Sequence, residues 1–250
     1  MTLAILGALA IGISLGLLGS GGSILTVPIM VFILKRPEKL AIAESLAIVG
    51  FIAAVAALSY ARSAQIHWRS VLLFGVPGML GAYAGASGSC YISSTLQLTL
   101  FAIVMLVVAV VMLFGPLSFK KFNLSQYSTW LIVSEGFIVG CLTGFLGAGG
   151  GFLIVPALII FGNLSIFFAI GTSLVIITMN CFTGFIEHFV ILRALEMNVS
   201  WEVIGIISIA GILGSFAGSF IAKKISQFHL RKIFGLCVFV LGTYVLLNQI

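Results

Sequence analysis

Two short glycine runs, Gly19-Ser20-Gly21-Gly22-Ser23 and Gly147-Ala148-Gly149-Gly150-Gly151, are the first residues in this chain that could do chemistry. Glycine costs a helix interior about 1 kcal/mol per residue, so each run should interrupt a helix. The helix that restarts beyond it would present free N–H groups and the positive end of its dipole to an anion. Pro28 and Pro156 follow at matching places inside the restarted helices, where a missing N–H removes one hydrogen bond and bends the rod. Three hydroxyls, Ser45, Thr172 and Ser173, and one amide, Asn180, fall in the apolar runs that come next and could either hydrogen-bond an anion or tie helices together. Glu44 is an acid just inside an apolar run, a candidate to carry a coupling proton unless it reaches the surface or pairs with Lys39. No lysine or arginine stands at the centre of an apolar run, so a bound anion would rest on dipoles and hydroxyls and could leave again, as a carrier requires.

The elements that must position these groups are membrane helices. Of 250 residues 61% are hydrophobic and 7% charged, where a soluble domain carries about a quarter charged residues. Such a chain needs lipid as its solvent, which excludes a soluble enzyme. The net charge of +6 comes in pairs, Lys35-Arg36, Lys120-Lys121, Lys223-Lys224 and Arg231-Lys232, that separate apolar runs. They read as loop anchors, not as a surface for nucleic acid. The expected fold is all-α and polytopic, with apolar runs at about 3–34, 41–61, 70–90, 96–114, 130–161, 166–191, 203–222 and 233–248. Trp68, Trp130 and Trp201 stand at run edges, where an indole prefers the headgroup boundary.

The two runs of 32 residues, 3–34 and 130–161, are those that contain the glycine clusters. Gly12–Pro28 laid over Gly140–Pro156 gives nine identities in 17 positions at an offset of 128. The offset continues through Ala41, Ile42, Ser45, Leu46 and Ile48, which meet Ala169, Ile170, Ser173, Leu174 and Ile176. It then becomes 133, pairing Trp68 with Trp201 and Gly78, Gly81 and Gly85 with Gly211, Gly214 and Gly218. The expected organisation is a repeat at 1–114, a connecting loop at 115–129 and a second repeat at 130–250. Within it, the long runs form half-helices of roughly 3–18 and 23–34 and their counterparts, either crossing or re-entrant. Both breaks should then line one internal site near the midplane. The spacings Gly12/Gly16, Gly81/Gly85, Gly140/Gly144 and Gly214/Gly218 are read as close helix packing.

No cofactor or metal is expected. The stretch from Gly16 to Ser23 nearly spells a phosphate-binding loop, but Gly22 stands where its lysine belongs and no strand precedes it. Glu187-His188 is too little for zinc and reads as interfacial, as does Glu135. Cys90, Cys141, Cys181 and Cys237 show no C-x-x-C spacing and are expected to be buried packing residues.

The repeated G-x-x-G-x-G-G-x4-V-P pattern, on Gly19, Gly21, Gly22, Pro28 and on Gly147, Gly149, Gly150, Pro156, resembles that of the TauE/SafE family of sulfite exporters and sulfonate permeases. The resemblance implies secondary transport of a small sulfur-containing anion across a bacterial inner membrane. Glu44 departs from the family, which more often has a small or hydroxyl residue there, as its repeat partner Thr172 does. A passive anion channel, and a membrane enzyme or assembly factor using Glu187, His188 and Cys141, remain as alternatives. The partners implied are a small anionic substrate and the lipid bilayer, with no nucleic acid, and a homo-oligomer is compatible with the reading. If all eight runs cross, seven basic residues fall on one side and five on the other, and if the broken runs re-enter, eight and four; both versions put the termini outside and the Lys223–Lys232 loop in the cytoplasm.

Overall fold

The computed structural model describes residues 2–18, 22–114, 129–147, 151–160, 164, 166–222 and 227–247. Among these, the chain is helical and has no strand. Helix α1 (Thr2–Leu18) is followed by α2 (Ser23–Pro28), which passes into a π-helical turn (Ile29–Ile33) and then α3 (Glu38–Arg62). A short α4 (Trp68–Ser70), a second π-turn (Val71–Gly75) and α5 (Val76–Gly88) form one apolar rod, and α6 (Ser94–Phe114) follows a 3-10 turn. The second half runs α7 (Thr129–Leu146), α8 (Gly151–Ile160), α9 (Ile166–Ala194), α10 (Trp201–Ala222) and α11 (Gln227–Leu247). Four rods are long and apolar enough to cross a membrane, Glu38–Arg62, Trp68–Tyr91, Phe168–Ala194 and Trp201–Ile221, and several shorter apolar helices accompany them. The exterior carries Leu58, Leu80, Val107, Ile138, Ile186, Leu213 and Phe220, all more than half or nearly half exposed, as a lipid-facing surface does.

Gly22 and Gly147 locate the helix breaks. Helix α1 ends at Leu18 and α2 begins at Ser23; α7 ends at Leu146 and α8 begins at Gly151. Gly147 has φ +69°, a left-handed conformation that stops the helix, and its N–H closes the last turn onto Thr143 O at 3.0 Å. Gly19, Ser20, Gly21, Gly149 and Gly150 lie outside the described residues.

The chain reverses at the first break. A Cβ on Gly22 would overlap Ile11 O on α1, and a Cβ on Gly7 would lie 3.2 Å from Ile29, so α2 and its π-turn run back along α1. The second half does likewise, for Gly147 lies against Ile42 near the start of α3 whereas Gly171 lies against Tyr60 and Gln65 at its far end. Both long segments therefore run out and return to the side on which they began.

Glycine pairs bring the crossings together. Gly12 and Gly16 of α1 meet Gly211 and Ser215 of α10 so closely that a Cβ would overlap a backbone carbonyl. Gly140 and Gly144 of α7 meet Gly78 and Ala82 of α5 in the same way. These contacts are related by the offsets 128 and 133, and the order of residues makes each pair parallel. Helices α3 and α9 instead run antiparallel through the centre, with Gly50 against Cys181 and Phe182 and Gly184 against Leu46. Every residue of α3 from Leu40 to Gly50 is buried. Lipid offers no hydrophobic drive between helices, so backbone approach through glycine supplies the dispersion contacts that hold these pairs.

Pro28 lies inside α2 and caps the π-turn, in which Leu34 N–H bonds to Ile29 O at 3.1 Å. The missing donor is absorbed by a widened turn. Pro156 lies within α8, which continues through it. The cysteines divide: Cys181 is buried as expected and Cys141 partly so, Cys90 is exposed within the 3-10 turn where the 70–90 run ends, and the Cys237 side chain lies outside the described residues.

Candidate functional site

The level at which α3 and α9 cross provides a reference plane. Gly12 meets Gly211, which faces Ile52 of α3; Gly140 meets Gly78, which faces Asn180 of α9. From Gly12 to the end of α1 are six residues, and from Gly140 to Gly147 seven, so at 1.5 Å per residue the helix ends stand about 10 Å to either side of this plane. The two ends are thus not one point. What approaches the centre is the start of the returning helix: Gly22 is level with Ile11–Leu15, α2 is buried from Ser23 to Pro28, and α2 touches α8. Ser23 and Thr26 are both fully buried there, and Thr26 Oγ1 donates to Gly22 O at 3.3 Å.

The end of α7 is held by side chains from three helices. Ser45 Oγ on α3 lies 2.7 Å from both Gly147 O and Ile42 O, sharing one hydroxyl hydrogen between them. His188 Nε2 on α9 is 2.8 Å from Gly144 O, and since a carbonyl only accepts, Nε2 carries the proton. Gln97 Nε2 on α6 donates to Phe145 O. Carbonyls that a helix end leaves free are in this way satisfied by the tertiary fold. Ser173, the counterpart of Ser45, donates to Ile170 O at 2.8 Å.

Thr172 and Glu44 do one job in two halves. The Thr172 Oγ1 accepts from the His67 N–H at 2.9 Å, and Glu44 Oε1 accepts from the Ser200 N–H at 2.9 Å. His67 and Ser200 immediately precede Trp68 and Trp201, the starts of α4 and α10. Both side chains thereby fasten a helix start in the other half of the chain. Glu44 also meets Arg36 Nη2 at 3.2 Å, not Lys39; Glu44 is fully buried and the Arg36 side chain is 25% exposed. Arg36 curls back because its N–H bonds to Met30 O at 3.1 Å.

Asn180 is alone in this set. It is fully buried, and neither Nδ2 nor Oδ1 has a partner. His188 is near a run end in the sequence, as an interfacial residue would be, yet it is 4% exposed. The helical stripe Asn180, Gly184, His188, four residues apart on one face of α9, is the signal that places it inside. Gln97, Arg36 and the N–H groups of His67 and Ser200 carried no such sign, because their roles depend on which helices meet. Glu187 accepts from Ser87 Oγ at 2.8 Å near the ends of α5 and α9, in keeping with a segment-end position.

Helix pairs that turn back on themselves beside long apolar helices, with buried hydroxyls on the returning segment, are the arrangement of a membrane transporter class of protein. The chain matches the sulfite exporter TauE/SafE family over residues 4–245 and belongs to that family. It is 32% identical over 243 residues to a probable membrane transporter protein of Xylella fastidiosa strain Temecula1, covering 94% of this chain and 91% of that one. It is 27% identical over 255 residues to a probable membrane transporter protein of Methanocaldococcus jannaschii, covering 95% and 93%. The protein YdhB of Bacillus subtilis, also a probable membrane transporter, is 25% identical over 234 residues. No solved structure matches the chain.

Proposed function

We propose that the protein is a secondary transporter that carries a small sulfur oxyanion or organosulfonate across a bacterial inner membrane by alternating access between its two halves. The observation that carries this reading is the buried return of α2, which brings a helix start to the crossing level of α3 and α9 in an interior that has no buried lysine or arginine among the described residues. An anion seated there is held by N–H groups and hydroxyls and can be released. Of the residues that the sequence puts forward, Gly19, Ser20, Gly21, Gly22 and Ser23 belong to this seat, Gly147, Gly149, Gly150, Gly151 and Ser45 to the equivalent break in the second half, and Thr172, Ser173 and Asn180 to the long helix that follows it. The glycine interlocks make α1 with α10, and α5 with α7, natural rigid units to move against α3 and α9.

The loops on the side of Arg62, Lys120, Lys223 and Lys232 hold eight of the twelve basic residues, which supports a cytoplasmic place for that side and an outer place for the termini. Purified protein in liposomes tests the function. Saturable uptake of sulfite, thiosulfate or a sulfonate with counterflow is expected. Unsaturable conductance would point to a pore, and chemical change of the anion to an enzyme. A reporter fused after Ile250 is expected to read as non-cytoplasmic, and a cytoplasmic signal would reverse the orientation.

A further inference from the structure

The interior of α9 contains a group that the fold itself does not employ. Asn180 stands at the crossing level, 0% exposed, with both amide atoms unpaired. A Cβ added to Gly78 would lie 2.8 Å from Oδ1 and 2.9 Å from Nδ2, so the amide is set against bare backbone of α5. A buried amide without partners destabilises the fold that holds it. Packing does not call for it, because the equivalent place in the first half is filled by Ile52, which lies against Gly211 as Asn180 lies against Gly78. The hydroxyls assigned to the site from sequence differ in this respect: Ser45 donates to Ile42 O or Gly147 O, and Thr172 accepts from His67 N.

We propose that Asn180 reads the transported ion, and that this ion is a monoanion carrying a hydrogen-bond donor beside its oxygens, such as hydrogen sulfite or a hydroxyalkanesulfonate. The proposal rests on the transport reading above and specifies its substrate. An amide offers one donor group and one acceptor. An ion with oxygens alone satisfies Nδ2 and leaves Oδ1 buried, unpaired and facing negative charge. An ion that also has an O–H satisfies both atoms, and discrimination of this kind is strong because the alternative strands a buried polar group. The bound state requires the α5–α7 unit to part from α9, since Gly78 covers the amide in the present arrangement.

The test compares 2-hydroxyethanesulfonate with ethanesulfonate, two permanent monoanions that differ by one hydroxyl, together with hydrogen sulfite, on the purified full chain. Wild type is expected to bind hydrogen sulfite or the hydroxysulfonate about tenfold more tightly than ethanesulfonate, the worth of one well-made buried hydrogen bond. Asn180→Leu should erase that preference and at the same time raise the melting temperature, because it removes an unpaired amide from a niche that accepts an apolar side chain. A preference that survives in Asn180→Leu, or a melting temperature that falls, overturns the assignment and makes Asn180 a structural residue. Equal wild-type binding of both sulfonates, with hydrogen sulfite no tighter, overturns the substrate class. Failure of wild type to bind any of the three counts against the transport reading itself and removes the proposal with it.

Discussion

The ends of α1 and α7 lie at equivalent places in the two halves of the chain, and the side chains that the sequence sets around them differ. Both belong to glycine-locked parallel pairs, α1 with α10 and α5 with α7, whose contacts superpose under the two offsets. Beyond those locks the halves diverge. The α7 end is fastened by Ser45, His188 and Gln97, whereas the residue equivalent to His188 in the first half is Tyr60 and the residue equivalent to Asn180 is Ile52. The contrast separates what a membrane fold of this kind must keep from what it is free to vary. Backbone-to-backbone contacts tolerate no side chain and recur in both halves. Side-chain contacts are free to differ, and there the halves acquire different chemistry.

The sharpest way to break this comparison is to add one methyl group to each lock. In Gly12→Ala and Gly140→Ala the new Cβ overlaps the carbonyl oxygen of Gly211 and of Gly78, and a backbone atom cannot rotate away. Each variant is expected to lose about 3 kcal/mol, at the upper end of overpacking penalties, and to yield little monodisperse protein in detergent. Near-normal yield of one variant beside collapse of the other would show that the halves are not locked alike.

A smaller effect should follow at Gly147. Alanine there must adopt φ +69°, worth about 1–2 kcal/mol, and its Cβ presses on the Ile42 side chain. Gly147→Ala is expected to lower the melting temperature by several degrees, and Ile42→Ala added to it should relieve the clash with the Ile42 side chain but not the tight approach to the Ile42 backbone or the backbone strain. Full recovery in the double variant would mean that the left-handed conformation at the break is dispensable.

Much of this architecture was legible in the residues, and the reasons are physical. Apolar length marks membrane rods, and adjacent glycines mark helix breaks, so half-helices of roughly 3–18 and 23–34 stand close to the observed α1 and α2 with its π-turn. The choice between crossing and re-entry was not legible. It depends on Gly22 meeting Ile11, a contact between residues whose types suit either course. The level of the helix ends was not legible either, because a helix end can pass the centre before the chain turns. Side-chain roles were the least legible. Ser45 and Thr172 look like caps of their own helices, yet Ser45 bonds carbonyls and Thr172 fastens α4 of the other half. Spacing along one helix says nothing of the helix opposite.

The smallest expected effect concerns the paired helix-start contacts, where the halves use different groups for one purpose. Thr172→Val removes the acceptor from the His67 N–H and should cost about 1 kcal/mol, the usual worth of a helix-start bond. Glu44→Gln keeps a carbonyl oxygen for the Ser200 N–H and gives up only the charge beside Arg36. Because Arg36 is 25% exposed and can turn toward water, the loss should be under about 1 kcal/mol, and Arg36→Gln combined with it should show a coupling of similar size. The same variant decides whether Glu44 carries a coupling proton. If the carboxylate is an anchor, Glu44→Gln in liposomes accumulates anion under an imposed pH gradient as wild type does, and its only change is the small shift in stability. Loss of gradient-driven accumulation with anion exchange intact would make Glu44 the coupling residue, and the likeness between Glu44 and Thr172 would then stop at the hydrogen bond they share.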